Sequence, residues 1–251
     1  MFRRKSSNIQ CSDIVIFRAE NLYNSNNNDN ASQNTETNKR LERSAIILAG
    51  GSSSRFGQDK GLLPLSNKPL VKHILDRLDG IMDETIMVVS GTAQAKSYAK
   101  IVGQHVNVLI DVSDVHVPLV GALTGFSAAK GVYSVLLPCD TPMISEDVLK
   151  LLFELCVNKS AAIPRWPNGY IEPLQAVYNT KKASEAARNA LDQGGLRLQS
   201  MIDQLRGIRY VSTLVLQQID PQLKTFFNIN TLIDLRKAES ILRNTNKANY
   251  P

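Results

Sequence analysis

From residue 44 onward, short runs of consecutive apolar residues alternate with stretches in which apolar side chains recur every three or four positions. The first run, Ala45-Ile46-Ile47-Leu48-Ala49, ends in Gly50-Gly51 and reads as a buried strand entering a turn. Between 69 and 78 the apolar positions are Leu70, Val71, Ile74, Leu75 and Leu78, the spacing of an amphipathic helix. The same grammar repeats, with strands predicted over 85–89, 106–110 and 133–137 and helices over 93–101, 121–130 and 145–156. The last of these helices has Ser145 as N-cap and Glu146 and Asp147 in its first turn. Strands apolar on both faces that alternate with helices imply a parallel sheet covered on both sides. The fold class is α/β, a doubly wound, mostly parallel sheet with helices on both faces.

After residue 160 the pattern is less regular. Strands are expected over 161–163 and 174–178, bracketing a stretch rich in Pro and Gly, then helices over 181–191 and 196–205. Short strands over 210–215 and 226–229 precede a closing helix over 231–242 capped by Thr231. This half reads as an extension of the same sheet, and no internal repeat is visible. Residues 21–43 are dominated by Asn, Ser and Thr, a composition that cannot offset its own ordering entropy. The expected organisation is a disordered polar leader over 1–43, one folded domain over 44–243 and a flexible tail over 244–251.

Composition narrows the function classes. The chain has 251 residues, 43% hydrophobic and 21% charged, which is ordinary globular usage. Its three cysteines, Cys11, Cys139 and Cys156, are too scattered for a disulfide framework or a zinc cluster. No apolar run is long enough to span a bilayer, and Ile14-Val15-Ile16-Phe17 is too short for a signal peptide. A soluble protein of a reducing compartment, the cytoplasm, is expected. Beyond residue 43 there are 22 basic and 18 acidic side chains, spread without a basic block or an aromatic-interleaved face. That argues against nucleic acid and for a small anionic ligand.

In open parallel sheets ligands sit beyond the carboxyl ends of the strands. After the first strand come Gly50, Gly51, Arg55 and Lys60. Glycines there let backbone N–H groups approach an anion, and the two cations can balance phosphate charge. The spacing matches neither the dinucleotide glycine pattern nor the P-loop. After the fourth strand, Pro138-Cys139-Asp140-Thr141-Pro142 places a carboxylate where a divalent cation would offset its burial, although Asp140 can equally cap a turn. Cys139 reads as a packed thiol, since no histidine adjoins it in sequence to activate it. Asp111, at the end of the third strand, can accept from a nucleobase or ribose, or cap a helix. Asn228 and Asn230, two apart on an expected strand, share a face and can share a ligand, or Asn230 can be a turn residue. In the loop 164–173, Arg165 and Trp166 are candidates for acceptor contacts, or part of a surface loop pinned by prolines. Gly194-Gly195-Leu196-Arg197 is a second-rank phosphate candidate, and His73 reads as structural.

Taken together, LAGGSSSRFGQDKGLLPL, PCDTP, EPLQAVY and FFNINTLIDL closely resemble the molybdenum cofactor guanylyltransferases, members of the nucleotidyltransferase superfamily, over residues 44–240. The resemblance implies a Rossmann-like nucleotidyltransferase fold and a reaction in which GMP passes from GTP to the terminal phosphate of molybdopterin, releasing pyrophosphate. It implies that Leu48, Ala49, Gly50 and Gly51 line the GTP pocket, with Lys60 on the phosphates and Arg55 nearby. Asp111 would contact the guanosine, Asp140 would hold Mg²⁺, and Asn228 and Asn230 would face the pterin phosphate. The second glycine of LAGG, where cytidylyl-transferring relatives carry alanine, favours guanine. One position departs from the pattern: many members have Asn at the end of the second strand, whereas this chain has Ser90, which offers one hydroxyl in place of both faces of an amide.

Arg55, Lys60 and Asp140 are the expected catalytic residues, and no general base is required because the attacking phosphate is already an anion. The expected partners are GTP and molybdopterin, together with other cofactor-biosynthesis proteins, and neither nucleic acid nor membrane. Two alternatives stand beside this reading. One is the same chemistry with another base or acceptor: molybdopterin cytidylyl transfer, cobinamide-phosphate guanylyl transfer or sugar-phosphate nucleotidyl transfer. The other is a GTP-binding regulator without catalysis.

Overall fold

The computed structural model describes residues 42–50, 59–111 and 117–248, with side chains up to residue 243. The strands are β1 (Arg43–Leu48), β2 (Pro64–Leu65), β3 (Lys68–Pro69), β4 (Glu84–Val89), β5 (Val106–Ile110), β6 (Tyr133–Pro138), β7 (Ala161–Arg165), β8 (Ala176–Asn179) and β9 (Ile208–Ser212). The helices are α1 (Leu70–Leu78), α2 (Thr92–Val102), α3 (Pro118–Ala128), α4 (Glu146–Cys156), α5 (Thr180–Asp192), α6 (Leu198–Gln204), α7 (Thr213–Leu216) and α8 (Leu232–Ala248). Seven strands form one sheet in the order β5-β4-β1-β6-β8-β7-β9, while β2 and β3 make a separate small hairpin. β5, β4, β1 and β6 run parallel to one another, β8 is antiparallel to both β6 and β7, and β9 is parallel to β7. The sheet is thus mostly parallel, as the continuous apolar runs require.

Alternation along the strands builds two cores. Ala45, Ile47, Met87, Val89, Val135 and Leu137 pack with α1, α2 and α4 on one face. Ile46, Ile86, Val88 and Leu136 pack with α3, α5 and α6 on the other. α3 sits so close to β1 that a Cβ on Gly125 would lie 2.3 Å from Cγ2 of Ile46. At Gly121, one turn earlier, a Cβ would meet Leu48 at an ordinary 3.4 Å. A third, small cluster joins Leu63, Leu65 and Leu70 to Met143, Ile229 and Ala238, so that α8 is tied to the β2–β3 hairpin.

The second half departs from expectation in three places. The strand expected over 210–215 ends at Ser212, whose side chain accepts from the Leu214 amide and starts the short helix α7. No strand forms over 226–229: a 3₁₀ turn, Lys224–Phe226, leads into an extended segment. Asp220 supports that turn, accepting from the Thr225 amide at 2.8 Å and the Thr225 hydroxyl at 2.8 Å. The helical backbone of α8 continues to Ala248, past residue 244 where the tail was expected to begin. Residues 1–41, which hold most of the expected leader, and residues 249–251 lie outside the described residues.

The Pro- and Gly-rich stretch between β7 and β8 folds back on itself. The Trp166 amide donates to the Tyr170 carbonyl at 2.8 Å, and the Trp166 indole N–H donates to Oε1 of Glu172 at 2.7 Å. The ring lies edge-on to Phe226, with centroids 5.8 Å apart. Trp166 is therefore engaged in packing against the first core just past the end of β7, and Arg165 stacks its guanidinium 5.5 Å from the Tyr210 ring centroid.

The two glycines of α3 should respond oppositely to an added methyl. Gly125→Ala drives it into a β-branched side chain that cannot rotate away, and is expected to lower unfolding free energy by about 1–2 kcal/mol. Gly121→Ala has room and is expected to stabilise by about 0.5–1 kcal/mol through helix propensity. Denaturant unfolding of the two variants checks the contrast. Burial raises the Glu172 carboxyl above the usual glutamate range, partly offset by the Trp166 donor. Because the folded state favours the protonated acid, this contribution to stability falls as pH rises from the ordinary glutamate value through the raised one. Trp166 is the chain's one tryptophan. Its emission should titrate with a midpoint above the usual glutamate range, and Glu172→Gln should abolish that transition.

Candidate active site

The chain leaves β1 for β4 and β5 on one side and returns to β6 on the other, so the topological switch point lies between β1 and β6. In such sheets the crevice beyond the carboxyl ends at the switch point holds the ligand. β1 and β6 are in register with Leu48 opposite Pro138, which leaves Gly50 and Asp140 both two residues past the last pair. The Cys139 amide donates to the Leu48 carbonyl at 3.1 Å, which joins the ends of β6 and β1, and the Ala49 amide donates to the Val88 carbonyl at 2.8 Å, which joins β1 to β4. The Asp111 amide donates to the Val89 carbonyl at 2.7 Å, which places the buried Asp111 on the same rim, one strand further out. Leu48, Ala49, Gly50, Ser90, Asp111 and Asp140 thus share one end of the sheet.

Lys60 reaches this rim from the 3₁₀ turn Lys60–Leu62, where Asp59 is the N-cap and accepts from the Gly61 amide. Its Nζ lies 2.6 Å from Oδ2 of Asp140 and donates to Oδ1 of Asn230 at 2.8 Å. The Lys60 and Asp140 side chains are only 21% and 15% exposed, so their attraction is poorly screened by solvent. An ammonium carries three donors, and two are used here. Oδ1 of Asp140 is buried and has no hydrogen-bond partner. Asn230 is carried by the segment before α8, which is pinned at both ends. The Ile229 amide donates to the Asp140 carbonyl at 3.0 Å, and the Asn230 and Thr231 amides donate to Oδ2 of Asp234 at 3.1 and 2.9 Å. Thr231 returns the cap, accepting from the Asp234 amide at 3.2 Å, and its hydroxyl donates to Oδ2 of Asp234 at 2.8 Å; that donation, with the two amides, holds the Asp234 carboxyl below the usual carboxylate range. Ile229 is fully buried between Asn228 and Asn230, which are both exposed, and the segment is not a strand.

A second set of bonds runs along the rim from Gly50. The Ser90 hydroxyl donates to the Gly50 carbonyl in a very short contact, and a Cβ on Gly50 would come within 2.4 Å of that hydroxyl. A side chain at position 50 would force the Ser90 hydroxyl away from the Gly50 carbonyl, whether or not a ligand is bound. The Ser90 amide donates to Oε1 of Gln94 at 2.9 Å, and Nε2 of Gln94 donates to Oδ2 of Asp59 at 2.6 Å. Tyr98, fully buried in α2, donates its hydroxyl to Oδ1 of Asp59. Burial pushes that hydroxyl far up, with the neighbouring Cys139 and Asp59 adding to the effect, so it stays a donor. The Cys139 thiol is also pushed far up by burial and by the Asp140 and Asp59 charges, which makes it a packed thiol.

Lys60, Asp140 and Asn230 are brought into direct contact, and Gly50 and Ser90 form a second contact on the same rim. Arg55 and Gly51 fall in 51–58 and lie outside the described residues. Gly194 and Gly195 are no phosphate site: their amides donate to the carbonyls of Leu191 and Ala190 at 2.8 Å each, which closes the end of α5. His73 is structural, bonded through Nε2 to the Leu65 carbonyl at 2.9 Å. Asp59, Gln94 and Tyr98 went unassigned in the sequence. The one signal for them was Asp59 beside Lys60, with Gln94 one helical turn after Ser90. Among the described residues no cluster of three His, Cys, Asp or Glu side chains forms a ready metal cage.

A family model described as the MobA-like NTP transferase domain matches residues 45–208. A Methanosarcina mazei protein named "Probable molybdenum cofactor guanylyltransferase" is 31% identical over 82% of this chain and 94% of its own. A Desulfosudis oleivorans protein named "Molybdenum cofactor guanylyltransferase" is 30% identical over 79% of this chain and 95% of its own. The crystal structure of molybdopterin-guanine dinucleotide biosynthesis protein A from Archaeoglobus fulgidus superposes with a TM-score of 0.68 at 25% identity, covering 80% of this chain and 99% of that one. The fold alone is shared with 2-C-methyl-D-erythritol 4-phosphate cytidylyltransferase from Thermus thermophilus, at a TM-score of 0.60 and 15% identity over 81% of this chain. With the match spanning the sheet and the rim that carries Gly50, Lys60 and Asp140, the chain belongs to the MobA-like NTP transferase family of nucleotidyltransferases.

Proposed function

We propose that this nucleotidyltransferase transfers GMP from GTP to the terminal phosphate of molybdopterin, releasing pyrophosphate. The observation that carries the reading is the Lys60–Asp140–Asn230 cluster at the switch point: a cation with a donor to spare beside a carboxylate with one oxygen unpaired. The names of the relatives support the choice of GTP and the molybdenum cofactor as substrates. A cytoplasmic site of action agrees with this, and no described helix is long and apolar enough to cross a membrane. Other cofactor-biosynthesis proteins are natural partners for a product that must be handed on.

In the proposed reaction a phosphate oxygen of molybdopterin attacks the α-phosphorus of GTP, one P–O bond forms, and the bond to the β-phosphate breaks. Both reactants are anions, so the chain's task is to bring negative charges together and to hold the reacting atoms in line. Lys60 directs its remaining N–H at the phosphates, and Asn230 holds its ammonium from the other side. Gly50, with no side chain, leaves the floor of the crevice open to the triphosphate. Arg55, a few residues after β1 in the sequence, is the second cation in this reading. Asp111 contacts the guanosine and Asn228 the acceptor phosphate. The Ser90 hydroxyl has given its one proton to the Gly50 carbonyl, so toward a base it can only accept, which suits the N1–H and N2–H₂ donors of guanine.

The oxygen donors fit a divalent cation: Mg²⁺ takes one or two carboxylates and completes its shell with phosphates and water, and Oδ1 of Asp140 is a buried oxygen without a partner. Asp140 would hold it, and when bound the ion would neutralise charge on the phosphates. Pyrophosphate release from GTP, molybdopterin and Mg²⁺ tests the reading. Lys60→Ala is expected to lower kcat by about 10²–10³-fold with its circular dichroism unchanged. Asp140→Ala is expected to lose the response to added Mg²⁺. Wild-type turnover from a folded Asp140→Ala protein contradicts the assignment. Of four labelled nucleoside triphosphates only GTP should label the pterin, and labelling from CTP instead would overturn the choice of base.

A further inference from the structure

Gly50 and Lys60 lie at the same end of the sheet, and one amide side chain connects their supports. The Gln94 carbonyl oxygen accepts from the Ser90 amide at 2.9 Å, and its NH₂ donates to Oδ2 of Asp59 at 2.6 Å. Neither partner tolerates the reverse arrangement, since a backbone N–H needs an acceptor and a carboxylate needs a donor, so the orientation of the amide is determined chemically. Ser90 in turn holds the Gly50 carbonyl through its hydroxyl. Asp59 is also held by the Tyr98 hydroxyl, and it is the residue that caps the turn presenting Lys60. The Tyr98 hydroxyl fits only because position 61 is glycine, where a Cβ would come within 2.4 Å of it.

We infer that Gln94 is a positioning residue: it clasps the nucleotide-facing backbone at Gly50 to the turn that aims Lys60, so that both reach the phosphates with their spacing set in advance. The inference rests on the nucleotidyl-transfer reading for its effect on rate, and on hydrogen bonding alone for the clasp itself. Only a side chain that accepts at one end and donates at the other can bridge Ser90 and Asp59. Leucine can do neither. Glutamate can do both only while it carries a proton.

The test is Gln94→Glu beside Gln94→Leu. In Gln94→Glu the introduced carboxyl, while protonated, accepts from the Ser90 amide and donates to Asp59. Once ionised, it sets two carboxylates against each other, which raises the apparent pKa of the pair. Among the described residues the other titratable groups near Asp59 are Tyr98 from α2 and Cys139 from the end of β6, both kept protonated by burial, and its chain neighbour Lys60, which is paired with Asp140. Relative to wild type at each pH, Gln94→Glu should retain most activity near roughly pH 5–6 and lose about 10–100-fold toward pH 8. Gln94→Leu should be low throughout, with kcat reduced more than the KM for GTP is raised. Hydrogen exchange of the Ser90 and Gly61 amides supplies a readout that needs no substrate. Protection should be lost in Gln94→Leu, and in Gln94→Glu it should be lost as pH rises. Protection that follows this pattern while wild type does not turn over GTP and molybdopterin would uphold the clasp and overturn the function. Unchanged protection of Ser90 in both variants, or an activity ratio of Gln94→Glu to wild type that does not vary with pH, would overturn the clasp.

Discussion

A lysine and an aspartate held 2.6 Å apart at the mouth of a parallel sheet set the terms for the rest of the structure. Neither charge is stable there without the other, because both are largely withdrawn from water and an isolated ion in that position is costly. The sheet topology supplies Asp140 at the end of β6, and the turn before β2 supplies Lys60. Asn230 arrives from the segment before α8, where the Thr231–Asp234 cap and the Ile229-to-Asp140 bond leave the backbone little freedom. Remote parts of the chain thus serve this contact: the third core cluster ties α8, which follows Asn230, to the β2–β3 hairpin, which follows Lys60.

The ion pair also makes the proposed site for an anionic substrate compatible with a nearly balanced charge distribution. Bound to one another, Lys60 and Asp140 present no net charge. A triphosphate arriving with a divalent cation would meet complementary partners in both, the cation at the unpaired carboxylate oxygen and the phosphates at the ammonium. On the proposed reading the base would be recognised on the other flank of the crevice, where the Ser90 hydroxyl donates to the Gly50 carbonyl and is left as an acceptor. The clasp through Gln94 joins those two flanks with one amide.

Much of this was legible in the residues before any coordinates. The strands over 43–48, 84–89, 106–110 and 133–138 announce themselves because each is apolar on both faces, and burial on both faces is what a central parallel strand experiences. Lys60 and Asp140 could be nominated because charges following such strands have few other places to go. The segment over 226–229 misled because Phe, Phe and Ile look β-prone, yet its apolar side chains are buried by local turns and by α8, and no neighbouring strand offers a ladder. β9 was extended too far because Leu214 and Val215 are also apolar, whereas the Ser212 cap starts a helix there. The clasp was invisible for a different reason. Gln94 and Tyr98 are ordinary residues of an amphipathic helix, and only the three-dimensional approach of α2 to the turn at Asp59 gives their polar ends a purpose.

The most direct measurement is a crystal structure with a GTP analogue that cannot be cleaved between its α- and β-phosphates, together with Mg²⁺. The prediction is a triphosphate lying across the ends of β1 and β6, with Nζ of Lys60 on a phosphate oxygen and the metal on the carboxylate of Asp140. A nucleotide bound elsewhere, with Lys60 and Asp140 still joined only to each other, would contradict it.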